Sequence, residues 1–168
     1  MTAKEEGHVD PEHGMELLDE AEDNIERSLS LSGDVEAIRA DALAAMDQAE
    51  AIAPTAKRPR KSFEMGEREV KLGSLREGEM LFRTSKKYAN EIIEWWGVAE
   101  KAIAEAGRQL QDKKGDGISH LKEMLSDARK KLAAEAPKKA YEFAVVIPAQ
   151  LAADDDALGK AAESLKEA

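Results

Sequence analysis

Apolar residues recur every three or four positions over most of this chain, with charged residues between them. That spacing is typical of amphipathic α-helices that bury one face. It predicts four main helices, which cover residues 10–30, 34–52, 76–111 and 118–136. The connection between the first two is short, and so we expect them to form an antiparallel hairpin.

The longest predicted helix carries an apolar seam at near-heptad spacing, the pattern of coiled-coil packing. Its positions are Leu81, Ser85, Tyr88, Ile92, Trp95, Ala99, Ala102, Ile103, Ala106 and Leu110. Adjacent helical residues point about 100° apart, so only one of Trp95 and Trp96 can lie at the centre of this seam. We expect Trp95 in the core and Trp96 at its edge. Both are candidate anchors for a partner, the alternative being a purely structural role.

Five helix-disrupting residues interrupt the pattern between residues 54 and 78: Pro54, Pro59, Gly66, Gly73 and Gly78. Apolar residues alternate with polar ones on both sides of Gly66: Phe63 and Met65 before it, Val70 and Leu72 after it. Alternation favours a β-strand, although a two-stranded ribbon alone is marginally stable. We therefore predict an irregular basic excursion over residues 54–78, with a small β-hairpin as one form of it.

Residues 138–152 form a compact apolar segment that Pro148 interrupts, and three aspartates at 154–156 are positioned to cap a short final helix. The fold class is therefore all-α: an elongated antiparallel bundle of two helical hairpins plus a short C-terminal helix. We expect one domain. Its parts are a disordered tail (1–9), an acidic helical hairpin (10–53), a basic irregular connection (54–78), a long helical hairpin (79–136) and a C-terminal helical segment (137–168).

Composition limits the chemistry that this chain can perform. Alanine contributes much of the 42% hydrophobic content, and alanine buries little area, so we expect a thin core that a partner completes. The absence of cysteine excludes disulfides, thiolate metal sites and thiol nucleophiles. No stretch approaches the ~20 apolar residues of a membrane span, and residues 1–8 lack the apolar region of a signal peptide. We expect a cytoplasmic protein without a transmembrane segment.

Charge is distributed unevenly along the chain. Residues 1–56 carry a net charge of −12, residues 57–87 a net charge of +5, and residues 88–168 a net charge of −3. The change occurs at the basic run Lys57, Arg58, Arg60 and Lys61, with Phe63 just beyond it. This run is a candidate interaction site, because exposed cations bind acidic protein surfaces or phosphates. The alternative is a solvated loop that only keeps the chain soluble.

Three observations argue against nucleic acid as the partner of this run. The chain is net −10, no second basic face accompanies the run, and no aromatic ladder interleaves it. Docking on the acidic N-terminal hairpin, of this molecule or of a neighbour, is the alternative that we favour.

No catalytic or metal-binding constellation is predicted. The histidines are His8, His13 and His120, and no two of them have the i+3 or i+4 spacing of helical metal-binding histidine pairs. The sequence lacks the phosphate-binding loop of nucleotide enzymes and the nucleophile elbow of hydrolases. We therefore expect neither a metal nor a cofactor.

The leading functional hypothesis is a non-enzymatic helical interaction or assembly protein. It self-associates or docks on another protein through Lys57, Arg58, Arg60, Lys61, Phe63 and the two tryptophans. The first alternative is a nucleic-acid-binding protein that uses residues 57–61. The second is an amphipathic helical protein associated with a lipid or granule surface.

Overall fold

The computed structural model describes the backbone of residues 33–167 and the side chains of residues 33–155. All regular structure in that range is helical and forms a bundle: α1 (33–52), α2 (Arg58–Lys71), α3 (Leu75–Leu110), α4 (Asp116–Ala133) and α5 (Pro137–Glu167). The all-α prediction is therefore confirmed. The predicted tail and the helix predicted for residues 10–30 lie outside the described residues.

Helix α3 is the central element of the bundle. Its 36 residues span roughly 54 Å at 1.5 Å per residue. Its buried positions alternate in steps of four and three along the whole helix: Gly78, Phe82, Ser85, Ala89, Ile92, Trp96, Ala99, Ile103, Ala106 and Leu110. The near-heptad seam is thus confirmed, but three members differ from the prediction. The buried residues are Phe82, Ala89 and Trp96 instead of their neighbours Leu81, Tyr88 and Trp95, which are half-buried.

Two groups of helices share α3. Its N-terminal half packs against α1 and α2, around a core of Val35, Ala42, Met46, Phe63 and Phe82. Its C-terminal half packs against α4 and α5, around a core of Ala99, Ile103, Ala106, Leu110, Leu121, Leu125, Ala128, Ala140, Ala144, Ile147 and Leu151. We call these two groups the first half and the second half of the molecule. A third cluster, which includes Ala49, Ala53, Ile92 and Trp96, lies where they meet.

The irregular excursion and the β-hairpin predicted for residues 54–78 are wrong. Most of that segment is α2, an α-helix whose buried positions are Pro59, Phe63 and Gly66. Proline is well tolerated in the first turn of a helix, so Pro59 begins α2 rather than breaking it. The alternation of Phe63 with Met65 is incidental, because Phe63 is buried while Met65 is 42% exposed.

Two glycines let α2 and α3 approach closely. A Cβ atom on Gly78 would lie 2.5 Å from Val70 Cγ2, and one on Gly66 would lie 2.8 Å from Phe82 Cε1. Gly73 lies in the turn between the helices, at φ +83°. Gly73 N–H donates to the Val70 carbonyl, and Ser74 N–H donates to the Glu69 carbonyl. These two bonds form a Schellman cap, which favours glycine at this position. The residues that suggested an irregular segment are therefore the ones that close this helical hairpin.

The C-terminal prediction also needs correction. Residues 137–167 form one continuous helix with Pro148 inside it, not an irregular apolar segment followed by a short helix. An internal proline removes one helical hydrogen bond and costs about 3 kcal/mol. Burial of Ala144, Ile147 and Leu151 on both sides of Pro148 offsets that cost. Helix α5 runs parallel to α3, since Tyr141 contacts Trp95 at one end and Asp155 pairs with Lys113 at the other.

Candidate interaction surfaces

The basic run lies at the start of α2. Lys57 occupies the N-cap position, and Arg58, Pro59, Arg60 and Lys61 form the first turn. Pro59 is buried, and its carbonyl accepts a 2.7 Å hydrogen bond from the Ser85 hydroxyl of α3. This bond satisfies Ser85, a fully buried polar residue of the α3 seam. The run is therefore held in one helical geometry by the core beneath it.

Arg60 is engaged within the chain. Its Nε and Nη2 atoms donate to the two carboxylate oxygens of Glu50 on α1, at 2.5 and 2.8 Å. The hydrogen bond from Arg60 lowers the pKa of the Glu50 carboxyl. Partial burial opposes this shift, and the positive charge of Arg60 adds to it. A bidentate pair of this kind fixes geometry as well as charge. It joins the basic run to the acidic helix α1 of the same molecule.

Arg58 connects the two halves of the molecule. Its backbone N–H donates to Glu135 Oε1 at 2.8 Å, and its guanidinium lies 5.5 Å from the centroid of the Tyr88 ring. Lys57 provides no side-chain cap for α2, and no acid lies in the first turn of that helix. The Glu135 carboxylate, from the turn between α4 and α5, supplies the negative charge that a helix N-terminus favours.

Glu135 holds a left-handed backbone conformation, at φ +62°. The turn around it is a second Schellman cap, in which Glu135 N–H donates to the Leu132 carbonyl and Ala136 N–H donates to the Lys131 carbonyl. Left-handed geometry costs a non-glycine residue roughly 1–2 kcal/mol. Glycine would avoid this cost, but it has no side chain to accept the hydrogen bond from the Arg58 N–H.

All four cations of the basic run are exposed. No ion pair joins Lys57 or Lys61 to another of the described residues. Together with Glu50 and Pro54 they border a surface cleft of about 630 Å³. Of the four predicted interaction cations, Arg58 and Arg60 make side-chain contacts within the molecule, whereas Lys57 and Lys61 have no ion pair among the described residues.

Phe63 and Trp96 are core residues. Phe63 is 4% exposed, and its ring centroid lies 5.1 Å from that of Phe82. Trp96 is 7% exposed, and its indole N–H donates to Glu100 Oε1 at 3.1 Å. The predicted order of the two tryptophans is therefore reversed. Trp96 occupies the core, at the centre of the α3 seam, and its neighbour lies at the edge.

Trp95 is the half-buried tryptophan. Its ring centroid lies 5.4 Å from that of Tyr141, at an interplanar angle of 46°. The Lys138 ammonium lies 5.7 Å from the Trp95 ring centroid, within the range of a cation–π contact. Both neighbours belong to the first turns of α5. Trp95 therefore contributes to the contact between α3 and α5 and presents its remaining area at the surface.

The sequence prediction did not identify an exposed apolar face on α5. Residues 143–153 include no charged side chain, and three large apolar residues of this run face solvent: Phe143 (39% exposed), Val145 (43%) and Val146 (38%). The sequence feature that could have revealed this face is the absence of charged residues over three helical turns, in a chain of which 36% of the residues are charged. This uncharged run was not predicted to be helical, because Pro148 lies inside it.

None of the helices in the described part of the chain is long and apolar enough to cross a bilayer. Its His, Asp and Glu side chains nowhere form a group of three or more that could hold a metal ion.

No family model, curated protein sequence or solved structure matches this chain. Its function must therefore be inferred from its own surfaces.

Proposed function

We propose that this chain is a non-enzymatic helical assembly protein, and that α5 forms the contact between two copies. The observation that carries the proposal is the uncharged face of α5, where Phe143, Val145 and Val146 are exposed within three turns. Several exposed large apolar residues on an uncharged stretch of helix are typical of protein interaction sites.

A second copy is the partner that the charge distribution favours. Two chains of net charge −10 repel each other, and a contact between neutral surfaces adds no close pair of like charges to that repulsion. The run at 143–153 is neutral, and in a two-fold symmetric contact the same patch on each copy covers the other. Apolar area then meets apolar area without burying an unpaired charge.

The length of α5 gives independent support. Asp155 pairs with Lys113 in the loop between α3 and α4, and so the backbone of residues 156–167 extends past that end of the bundle by roughly 18 Å. In the sequence, Leu158, Ala161 and Leu165 resume the four-three spacing of Ile147 and Leu151 after Asp154, which occupies the intervening position. A heptad stripe that continues past its own bundle is suited to packing on a second helix.

Light scattering of the full chain, coupled to size-exclusion chromatography, tests the proposal. We expect a dimer, and we expect the double variant Val145→Glu/Val146→Glu to be a monomer, because each glutamate would place a charge in the buried contact. Both positions face solvent, so the far-UV circular dichroism spectrum should remain helical. The matched control is Ile52→Glu, which changes a residue of equal exposure (42%) on α1 and should leave the dimer intact.

Salt distinguishes this contact from one made by the basic run. A dimer held by apolar area should persist at about 1 M salt, where the Debye length falls to about 3 Å and repulsion between acidic chains is screened. A dimer held by Lys57 and Lys61 should dissociate under the same conditions. A monomeric wild-type chain at every salt concentration, or a dimer that survives both valine substitutions, would refute the α5 contact.

A further inference from the structure

One side of α5 carries a stripe of exposed residues with a cation at its start and an acid at its end. Its members are Lys139, Phe143, Val146, Gln150 and Asp154, at i, i+4, i+7, i+11 and i+15. At 100° per residue, these five positions lie within about 80° of one another around the helix axis. All five are exposed. We call this set the α5 stripe.

The two charged ends of the α5 stripe have no ion pair among the described residues. None joins Lys139 or Asp154 to another of them. Their neighbours Lys138 and Asp155 do have partners inside the molecule, an aromatic ring of α3 and a lysine of the α3–α4 loop. Glu142, the other charged residue nearby, lies about 80° from the centre of the stripe.

The α5 stripe is complementary to a second copy of itself that runs in the opposite direction. Its midpoint lies between residues 146 and 147, halfway from Lys139 to Asp154. With a two-fold axis at that point, Lys139 of each copy faces Asp154 of the other, and Phe143 faces Gln150. Val146 meets its own equivalent beside the axis. Apolar residues therefore occupy the centre of the contact, and the same ion pair forms at both ends.

A parallel arrangement of the two helices lacks this match. It places the two Lys139 side chains together at one end and the two Asp154 side chains together at the other. Two further aspartates follow Asp154 in the sequence, so the second end is strongly acidic on both copies. Like charges held close across an interface are unfavourable, and complementary charges fix its register. The charges of the stripe therefore favour the antiparallel orientation, which apolar area alone would not specify.

We propose that the two copies meet through antiparallel α5 helices, with Lys139 of each copy paired to Asp154 of the other. This inference rests on the proposed α5 contact and specifies its orientation. The apolar residues hold the copies together, and the ion pairs at the exposed rim set the direction. Because α5 runs parallel to α3, the first halves of the two copies then point in opposite directions.

A distance between spin labels in the first half measures the orientation directly. The sequence contains no cysteine, so Met80→Cys gives a single attachment site at a residue that is 67% exposed. Met80 lies roughly 22 Å along α3 from Trp95. Trp95 contacts Tyr141, which lies roughly 8 Å along α5 from the proposed axis. The two labels of an antiparallel dimer are therefore roughly 60 Å apart.

Pulsed electron paramagnetic resonance of the labelled full chain reads this distance, and light scattering of the same sample reports the mass. A parallel dimer would hold the labels within about 40 Å, because a bundle two helices thick is only about 20–25 Å wide. A dimer with that shorter distance would overturn the antiparallel arrangement and leave the α5 contact standing. A monomer would refute the contact itself, and the orientation with it.

Charge reversal at the ends of the stripe tests the ion pairs. At low salt, Lys139→Glu and Asp154→Lys should each raise the dimer Kd by about tenfold, because each converts two opposite-charge pairs into like-charge pairs. The double variant Lys139→Glu/Asp154→Lys should return Kd to within about threefold of the wild type, since the pairs form again with reversed polarity. Asp154→Lys makes the chain less acidic, so general repulsion alone would tighten the dimer instead.

Lys61→Glu is the matched control. It makes the same charge change at an exposed lysine in the first turn of α2, in the first half of the molecule, and should leave Kd unchanged. Far-UV circular dichroism verifies that every variant remains helical. If neither single reversal at the stripe changes Kd, or if the double variant is no tighter than the weaker single variant, the pairing is wrong.

Discussion

The two halves of α3 use one heptad seam for two kinds of packing. In the first half, backbones meet at Gly66 and Gly78, two phenylalanine rings fill the core, and interhelical ion pairs such as Arg39–Glu67 lie at its edge. In the second half, the core is made of alanine, leucine and isoleucine. Glycine contacts and ion pairs thus specify how α1 and α2 dock, whereas α4 and α5 dock mainly through small apolar side chains, with the Lys113–Asp155 pair at one end.

That difference explains where the exposed surfaces lie. Charged side chains surround the first half, and so its apolar positions face solvent singly among cations. The second half depends on small residues that bury little area, and α5 leaves an uncharged face exposed. The uncharged face of α5 is the surface that we propose as the contact between two copies.

Alanine substitutions at three glycines of α3 should show the largest effect. In an open helix position, glycine to alanine stabilises a protein by about 0.5–1 kcal/mol. We expect that gain for Gly97→Ala, where nothing lies within 4 Å. Gly107→Ala should also be tolerated, because its Cβ would meet only Arg129 Nη2 at 3.4 Å and Leu125 Cδ2 at 3.8 Å.

Gly78→Ala should instead destabilise the protein by about 1–3 kcal/mol, because its Cβ overlaps Val70 and overpacking forces backbone shifts. Urea unfolding of the three variants measures all these changes. If Gly78→Ala is as stable as Gly97→Ala, the close approach of α2 and α3 does not hold the first half together.

Substitutions at Glu135 probe the junction between the halves and should have an intermediate effect. Glu135→Ala removes the acceptor for the Arg58 N–H and retains the left-handed backbone, and so we expect a loss of about 1 kcal/mol. Glu135→Gly removes the same acceptor but relieves roughly 1–2 kcal/mol of backbone cost, which should leave stability near that of the wild type.

Glu135→Gln is the matched control, because it keeps an acceptor oxygen and loses only the charge. Chemical unfolding compares the three variants, and hydrogen exchange at the first turn of α2 reports the cap directly. Equal stabilities of the alanine and glycine variants would contradict the left-handed strain at Glu135. Unchanged hydrogen exchange at the first turn of α2 in both the alanine and the glycine variant would contradict the role of Glu135 as the cap of that helix.

The pair between Arg60 and Glu50 should have the smallest effect. Both side chains are partly exposed, at 49% and 30%, so water screens the pair and Glu50→Gln should cost less than about 1 kcal/mol at pH 7. The pKa of Glu50 is lower in the folded state. The contribution is therefore present above the unfolded pKa of about 4.3 and is lost as pH falls below it.

Thermal unfolding at pH 7 and pH 3 should show the wild type and Glu50→Gln converging at the lower pH. Glu36→Gln, at an exposed position of the same helix, is the control and should change little at either pH. A difference between wild type and Glu50→Gln that grows as pH falls would contradict the assignment.

Local sequence determined the helical class and most of the α3 seam. Apolar spacing is a property of the chain alone, and it identified Ser85, Ile92, Ala99, Ala106 and Leu110 as members of one buried row. It could not tell Trp95 from Trp96, because neighbouring residues differ by only 100° about the helix axis. The positions of α1 and α4 decide which of the two is enclosed.

Only the tertiary structure decided the conformations of α2 and α5. Gly66 and Pro148 weaken a helix considered in isolation, and on local preference both segments are irregular. In the folded chain, Gly66 permits the contact with Phe82, and burial of Ile147 and Leu151 offsets the hydrogen bond that Pro148 lacks. Packing energy overrides local preference at these positions, because it depends on neighbours distant in sequence that spacing alone does not reveal.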